Sequence, residues 1–224
     1  MFSDTMEDYL KAIYVLQTEH GPPVSTSEIA EYLDKTPPTV TSMVSSLAEH
    51  DLINHEKYKG VELTEEGETV ALEVIRHHRL LETYLTEHLD YDWHEVHEEA
   101  DALEHHISEE FERRVADALD NPTVDPHGDP IPGVDLDPIA VDDADRLTEF
   151  EPGDHVVVTR VSDREEEELT YLEAAGITPE TELEIVDIAP FGMVTVATLD
   201  GDEQSLPESV ARSIRVEPVD EAVA

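Results

Sequence analysis

Residues 6–19 carry Met6, Leu10, Ile13 and Tyr14 at helical spacing, which predicts a first amphipathic helix. Gly21-Pro22-Pro23 ends it. Ser25-x-x-Glu28 reads as a capping box opening a short helix with Ile29, Ala30 and Leu33 inward. A turn follows at Asp34-Lys35-Thr36. Thr36 can cap the next helix, with Pro37 in its first position, where a missing N–H costs nothing. Val40, Met43, Val44 and Leu47 supply that helix's inward face. Helix, tight turn, helix is the helix-turn-helix arrangement. Leu52-Ile53-Asn54 and Val61-Glu62-Leu63, flanking Lys57-Tyr58-Lys59-Gly60, read as a hairpin wing.

Thr64 is placed to cap a long helix reaching about Leu89, with Val70, Val74, Leu81 and Leu85 as its apolar stripe. Asp92-x-x-Glu95 predicts a capping box for a further helix, to about Leu119. Proline and glycine then crowd the chain from Asn121-Pro122 to Pro132-Gly133, and Val134 to Asp145 is acidic, so this stretch reads as a linker. Beyond about Glu149 the period shortens. His155–Val161, Glu182–Ile188 and Met193–Leu199 alternate as strands, Asp200-Gly201 signals a hairpin turn, and a short helix fits Glu165–Ala175. The fold class expected is mainly α with a β-rich C-terminal domain, divided at 1–64, 65–140 and 149–218.

Composition changes that picture in one respect. The chain has 224 residues, with 56 Asp+Glu against 13 Lys+Arg and a formal net charge of -43. The acids are spread along the whole sequence, which argues against a detachable tail. It suits a surface adapted to molar cytoplasmic salt, where carboxylate repulsion is screened over about 3 Å. There are no cysteines, which excludes disulfide scaffolds, thiolate zinc sites and cysteine nucleophiles. No apolar run is long enough to span a membrane, and the first residues lack a signal-peptide pattern, so a soluble cytoplasmic protein is expected. Such acidity disfavours nucleic-acid binding, except at one place. Lys35 to Ala48 contains no Asp or Glu and is rich in Ser and Thr.

Candidate chemistry lies elsewhere. Seven of the twelve histidines fall between positions 77 and 106. On a helix continuing from Val96 at about 100° per residue, Ala100, Leu103 and Ile107 form a core stripe. His97, Asp101, Glu104 and His105 share a second face, and imidazoles interleaved with carboxylates suit a divalent ion. On the preceding helix His78 stands within the apolar stripe, with Glu82 one turn later; a histidine there needs a partner. His94-Glu95-Val96-His97 is not a zinc-hydrolase motif, because its histidines are three apart rather than four. Ser-His-Asp signatures and phosphate-binding glycine loops are absent, so no enzymatic activity is expected.

These residues resemble the diphtheria-toxin-repressor and manganese-transport-regulator family of metal-dependent transcription factors. The matching segments are MEDYLKAIY at 6–14, SEIAEYLDKTPPTVTSMVSSLAEHDLI at 27–53, YKGVELTEEG at 58–67, RHHRLLETYL at 76–85, DWHEVHEEADALEHHISEEFERRV at 92–115 and PHGDPIPG at 126–133. The resemblance implies a winged helix-turn-helix DNA reader, a helical metal-binding and dimerisation domain, and an SH3-like barrel as third domain. It implies a homodimer on a palindromic double-stranded DNA operator, with two metal sites per subunit. Carried over by position, the first site uses Asp8, Asp101, Glu104 and His105. The second uses His78, Glu82 and His97, joined by Glu165 and Glu168 from the third domain. Iron-sensing members place sulfur ligands where this chain has Asp8 and Asp101, so hard oxygens favour Mn²⁺, with Fe²⁺ as the alternative. Manganese-sensing members usually carry Glu where this chain has Lys11, which cannot ligate while charged.

The reading face expected is Lys35, Thr36, Pro38, Thr39, Thr41, Ser42, Ser45 and Ser46, with Lys57 and Lys59 from the wing. Hydroxyls and helix N-terminal amides would make most phosphate contacts. A cation tying Asp8 to the distant metal helix would fix the spacing of two recognition helices. No small organic ligand is expected. Two other readings stand beside this one: a winged-helix regulator with a non-metal effector, and a metal-homeostasis accessory protein that binds no operator.

Overall fold

The computed structural model describes residues 2–56, 59–139, 144–199 and 201–219. Lys57 of the expected reading face and Asp200 of the expected hairpin turn lie outside the described residues.

Helix α1 (Asp4–His20) starts at Ser3, whose side chain accepts from the Met6 N–H. Helix α2 (Thr26–Tyr32) opens on the capping box: Ser25 accepts from Glu28 N–H while the Glu28 carboxylate accepts from Ser25 N–H. Helix α3 (Pro37–Glu49) carries proline in its first turn, and Val40, Val44 and Leu47 are buried. Its cap departs from expectation. Thr36 makes no side-chain cap bond; its hydroxyl lies 2.8 Å from that of Thr39. Strands β1 (Ile53–Glu56) and β2 (Gly60–Leu63) pair antiparallel as the wing. Val24 and Val61 exchange backbone bonds of 2.9 and 2.8 Å, adding a bridge to it. Helix α4 (Glu65–Leu89) begins beside Thr64, whose hydroxyl accepts from Gly67 N–H.

The single helix expected between Asp92 and Leu119 is two helices, α5 (Val96–Leu103) and α6 (Glu109–Ala118). Ser108 restarts the chain: its carbonyl accepts from Glu112 N–H and its hydroxyl from Phe111 N–H. A serine that satisfies these first-turn donors makes a new N-terminus as favourable as continuing the old helix. Ile107 is therefore only half-buried rather than part of an extended core stripe.

The described part of the stretch expected as a linker is packed instead. Asp125, His127 and Ile131 are buried. The Asp125 carboxylate accepts from the N–H groups of His127 and Asp129, closing a tight turn. Leu136 and Ile139 lie against the core of α1–α4, and Ile139 N–H donates to the Tyr14 hydroxyl. Proline and glycine shape turns here rather than loosening the chain.

Beyond it lies a six-stranded antiparallel sheet, order β3-β8-β4-β5-β6-β7. Its strands are β3 (Asp145–Arg146), β4 (His155–Val161), β5 (Glu182–Ile188), β6 (Val194–Thr198), β7 (Glu203–Leu206) and β8 (Ile214–Pro218). Helices α7 (Glu166–Ala174) and α8 (Glu208–Ser213) accompany it. Leu169 and Leu172 of α7 join Val156, Ile185, Val196 and Val216 in the domain's own core. The expected class, mainly α with a β-rich C-terminal domain, is the one found.

By contacts the described chain forms two compact units, neither of them continuous in sequence. The first takes the chain up to Leu80, with Asp101–Ala118 and the stretch beginning at Ile131. The second takes Leu81–Ala100, Leu119–Pro130 and the C-terminal stretch.

Candidate metal centre

In the first unit, α1 and the corner after α5 bring Asp8, Glu104 and His105 together, with their potential ligand atoms all within 4.8 Å of one another. The local reason is the break at Glu104. The chain leaves helical geometry in a turn there, which lets Glu104 point inward while His105 faces α1. His105 is held at both ends: Nδ1 is 2.7 Å from Glu7 Oε2 and Nε2 is 2.9 Å from Asp8 Oδ1. Burial works against charge on this imidazole, but Glu7, Glu104 and Asp8 outweigh it and raise its pKa. Burial likewise raises the Asp8 pKa, against the opposing pull of His105.

Glu104 is the centre of the cluster, with 1% of its side chain exposed. His78 Nδ1 is 2.6 Å from Glu104 Oε2, and the Lys11 ammonium donates to the same oxygen at 2.8 Å. Burial raises the Glu104 pKa, but these two partners reverse it and the carboxyl ends below its ordinary value. Lys11 also donates to Asp101 Oδ1 at 3.0 Å. Of the four residues assigned to a first site, then, Asp8, Glu104 and His105 form one set, while Asp101 joins Glu104 and His78 in an adjoining one.

The second unit holds another cluster. Glu82, fully buried, has its carboxylate 3.3 Å from His97 Nδ1 and 3.7 Å from His127 Nδ1. Asp163 Oδ2 lies 3.1 Å from His97 Nδ1, and His97 holds the Asp163 pKa down against the effect of burial. Glu82, Asp125 and His127 have ligand atoms within 4.8 Å of one another. Burial would keep His127 neutral, yet Glu82, Asp163 and Asp125 raise its pKa to about 9.

Of the second site read from the sequence, His78, Glu82 and His97, the last two meet here while His78 stands in the first unit's set with Asp101 and Glu104; Asp125, His127 and Asp163 were missed. Asp125-Pro126-His127-Gly128 was the available signal, an Asx-type turn presenting an imidazole. Glu165 is exposed and Glu168 half-buried at the start of α7. Neither belongs to a ligand-like cluster among the described residues.

Both clusters pass a chemical test for a hard first-row divalent ion. Each offers carboxylate oxygens and imidazole nitrogen in one place with no sulfur, the donor set that such ions take.

The other expected face is on α3. Lys35, Thr36, Pro38, Thr39, Thr41, Ser42 and Ser45 are exposed and Ser46 is half-buried. Thr41 and Ser45 donate to the carbonyls of Pro37 and Thr41 one turn back. Lys59 is exposed and pairs with Glu56.

Comparison with known proteins bears on all of this. Residues 1–61 match the family described as iron dependent repressor, N-terminal DNA binding domain. Residues 64–133 match iron dependent repressor, metal binding and dimerisation domain, and residues 146–218 match the FeoA domain. The iron-dependent repressor IdeR of Mycobacterium tuberculosis is 38% identical over 228 residues, covering 96% of this chain and 98% of its own length. The diphtheria toxin repressor of Corynebacterium diphtheriae is 33% identical, covering 96% and 97%. A solved manganese-dependent transcriptional repressor in complex with manganese superposes with a TM-score of 0.88 at 37% identity, over 96% of this chain and all of that one. By these matches the chain belongs to the family of iron-dependent and manganese-dependent transcriptional repressors.

Proposed function

We propose that this chain represses transcription by binding a palindromic DNA operator as a homodimer when a divalent ion, Mn²⁺ in preference to Fe²⁺, occupies the Asp8–Glu104–His105 cluster. The observation that carries this reading is that cluster. Asp8 stands on the first helix of the DNA-reading region, while Glu104 and His105 stand at the corner after α5. Asp8, Glu104 and His105 would hold such an ion through carboxylate oxygens and a neutral imidazole nitrogen, and its charge would offset the repulsion between the carboxylates. Asp8 would then be fixed relative to the α5–α6 corner, and with it the orientation of α3. The ion acts only through its preference for the arrangement that fits DNA. The cluster of Glu82, His97, Asp125, His127 and Asp163 is the better-supported second site, with Glu165 and Glu168 left outside it.

In this reading residues 1–64 read DNA, 65–140 bind metal and pair the subunits, and 149–218 form the third domain. Thr36, Thr39, Ser42 and Lys35 make the first phosphate contacts, with symmetric half-sites read in successive major grooves. A site of action on chromosomal DNA implies a cytoplasmic location, and the acid-rich surface suits an interior of molar salt. The match to repressor families favours a regulator over an enzyme.

The test is selection from a pool of random duplexes in molar KCl. A palindrome should be enriched with Mn²⁺, and binding to it should vanish with chelator and in His105→Ala. Enrichment unaffected by chelator would favour the non-metal-effector reading. Failure to enrich any duplex would favour a role in metal handling without DNA.

A further inference from the structure

Lys11 lies three residues after Asp8 on α1, and its ammonium extends into the acidic cluster. It donates to Glu104 Oε2 at 2.8 Å and Asp101 Oδ1 at 3.0 Å, with His78 Nδ1 3.1 Å away. His78, Asp101 and Glu104 are themselves a ligand-like set, with atoms within 4.8 Å of one another. They offer the same donor chemistry as the neighbouring Asp8–Glu104–His105 set. The two sets meet at Glu104. Its Oε2 faces Lys11 and His78, and its Oε1 is 3.3 Å from His105 Nε2. A carboxylate with two oxygens can serve two cations side by side. On one side of Glu104, the cation is already part of the chain.

Geometry gives Lys11 this role: its ammonium reaches both carboxylates and lies beside the imidazole of the same set. Scarcity adds to it: the chain has 13 Lys+Arg among 224 residues, and one of them is directed at two carboxylates that would otherwise repel each other.

We infer that Lys11 is a built-in substitute for a second divalent ion: it fills the His78–Asp101–Glu104 set, so the cluster around Glu104 takes one ion rather than two. It is a positioning residue, keeping Asp101 and Glu104 together before metal arrives. The inference rests on the metal reading above, and the experiment separates the two.

Mn²⁺ is the probe, with full-length protein in molar KCl. Bound ions per chain are counted from the electron paramagnetic resonance signal of free Mn²⁺. His105→Ala should bind one ion fewer than the parent. Lys11→Arg should match the parent, because it keeps the charge. Lys11→Met and Lys11→Glu should each bind one ion more, because the set is vacated. Chelator-treated Lys11→Met should melt several degrees below the parent, and saturating Mn²⁺ should narrow that gap. Circular dichroism selects which variants are folded; either Met or Glu suffices for the count. An unchanged count in the folded Lys11 variants, with an ion lost in His105→Ala, overturns the inference alone. No ion lost in His105→Ala overturns the metal reading of the cluster and this inference with it.

Discussion

Glu104 receives Lys11 and His78 on one oxygen and faces His105 with the other. Glu104→Ala would leave a largely buried ammonium without its nearest counter-charge. Removing one partner of a buried pair costs about 3 kcal/mol or more, so metal-free Glu104→Ala should show a clearly lower denaturation midpoint than an exposed control such as Glu62→Ala. His105 adds a proton to the account. Its pKa is raised by Glu7, Glu104 and Asp8 against the effect of burial, and it must be neutral to ligate. Mn²⁺ affinity should therefore fall as pH drops through that raised pKa, and calorimetry in buffers of different ionisation enthalpy should detect proton release on binding. Identical heats in all buffers would contradict it. His127 sets a separate window. Its pKa rises to about 9 among Glu82, Asp163 and Asp125, so the folded state holds this proton more tightly than the unfolded chain. The stabilisation is complete below about pH 6.5, the unfolded value, and is lost as pH climbs through about 9. The melting temperature of chelator-treated protein should drop across that interval, and His127→Gln should flatten the change.

At the scale of elements, what was legible in the sequence was what is local. The capping box at Ser25 and Glu28, proline at the start of α3 and the inward set Val40, Val44, Leu47 are each defined by residues close together in the chain. The ends of β4 and β5 follow directly from alternation. The break before Ser108 was hidden, because a helix-competent sequence can restart at a serine without disturbing its composition. The Glu82 cluster was half hidden for another reason. His97 and Glu82 sit on helices with a readable period, whereas Asp125, His127 and Asp163 come from connecting segments, where position depends on packing and leaves no repeat. Close backbone approach explains two glycines that the pattern could not. A Cβ at Gly67 would meet the Leu52 carbonyl oxygen at 2.0 Å, and one at Gly128 would meet that of Thr159 at 2.0 Å. Gly67→Ala replaces a poor helix former with the best one, yet it should destabilise the protein, by about 1–3 kcal/mol in urea denaturation, because the start of α4 must move off the wing.

For the molecule as a whole, a net charge of -43 makes salt a structural variable. Self-repulsion destabilises a compact acidic chain, and raising ionic strength from about 0.1 to about 1 M shortens its range from about 10 to about 3 Å. The melting temperature should climb steeply with KCl, and a flat response would contradict adaptation to salt. DNA binding should respond to salt less than it does in ordinary basic readers. With hydroxyls and amides in place of most lysines on α3, the fall in affinity with KCl should be far shallower than the logarithmic slope of about -10 typical of a strongly basic repressor.

The stretch after Ile131 carries a last consequence. Leu136 and Ile139 close over the core of α1–α4, and Ile139 is hydrogen-bonded to Tyr14. From Ile131 to at least residue 139 the route to the sheet therefore belongs to the helical region. A protein shortened to end after Ile139 should keep its seal over the DNA-reading helices, whereas one ending at Gly133 would uncover that seam and become the more readily digested by trypsin-like or chymotrypsin-like proteases.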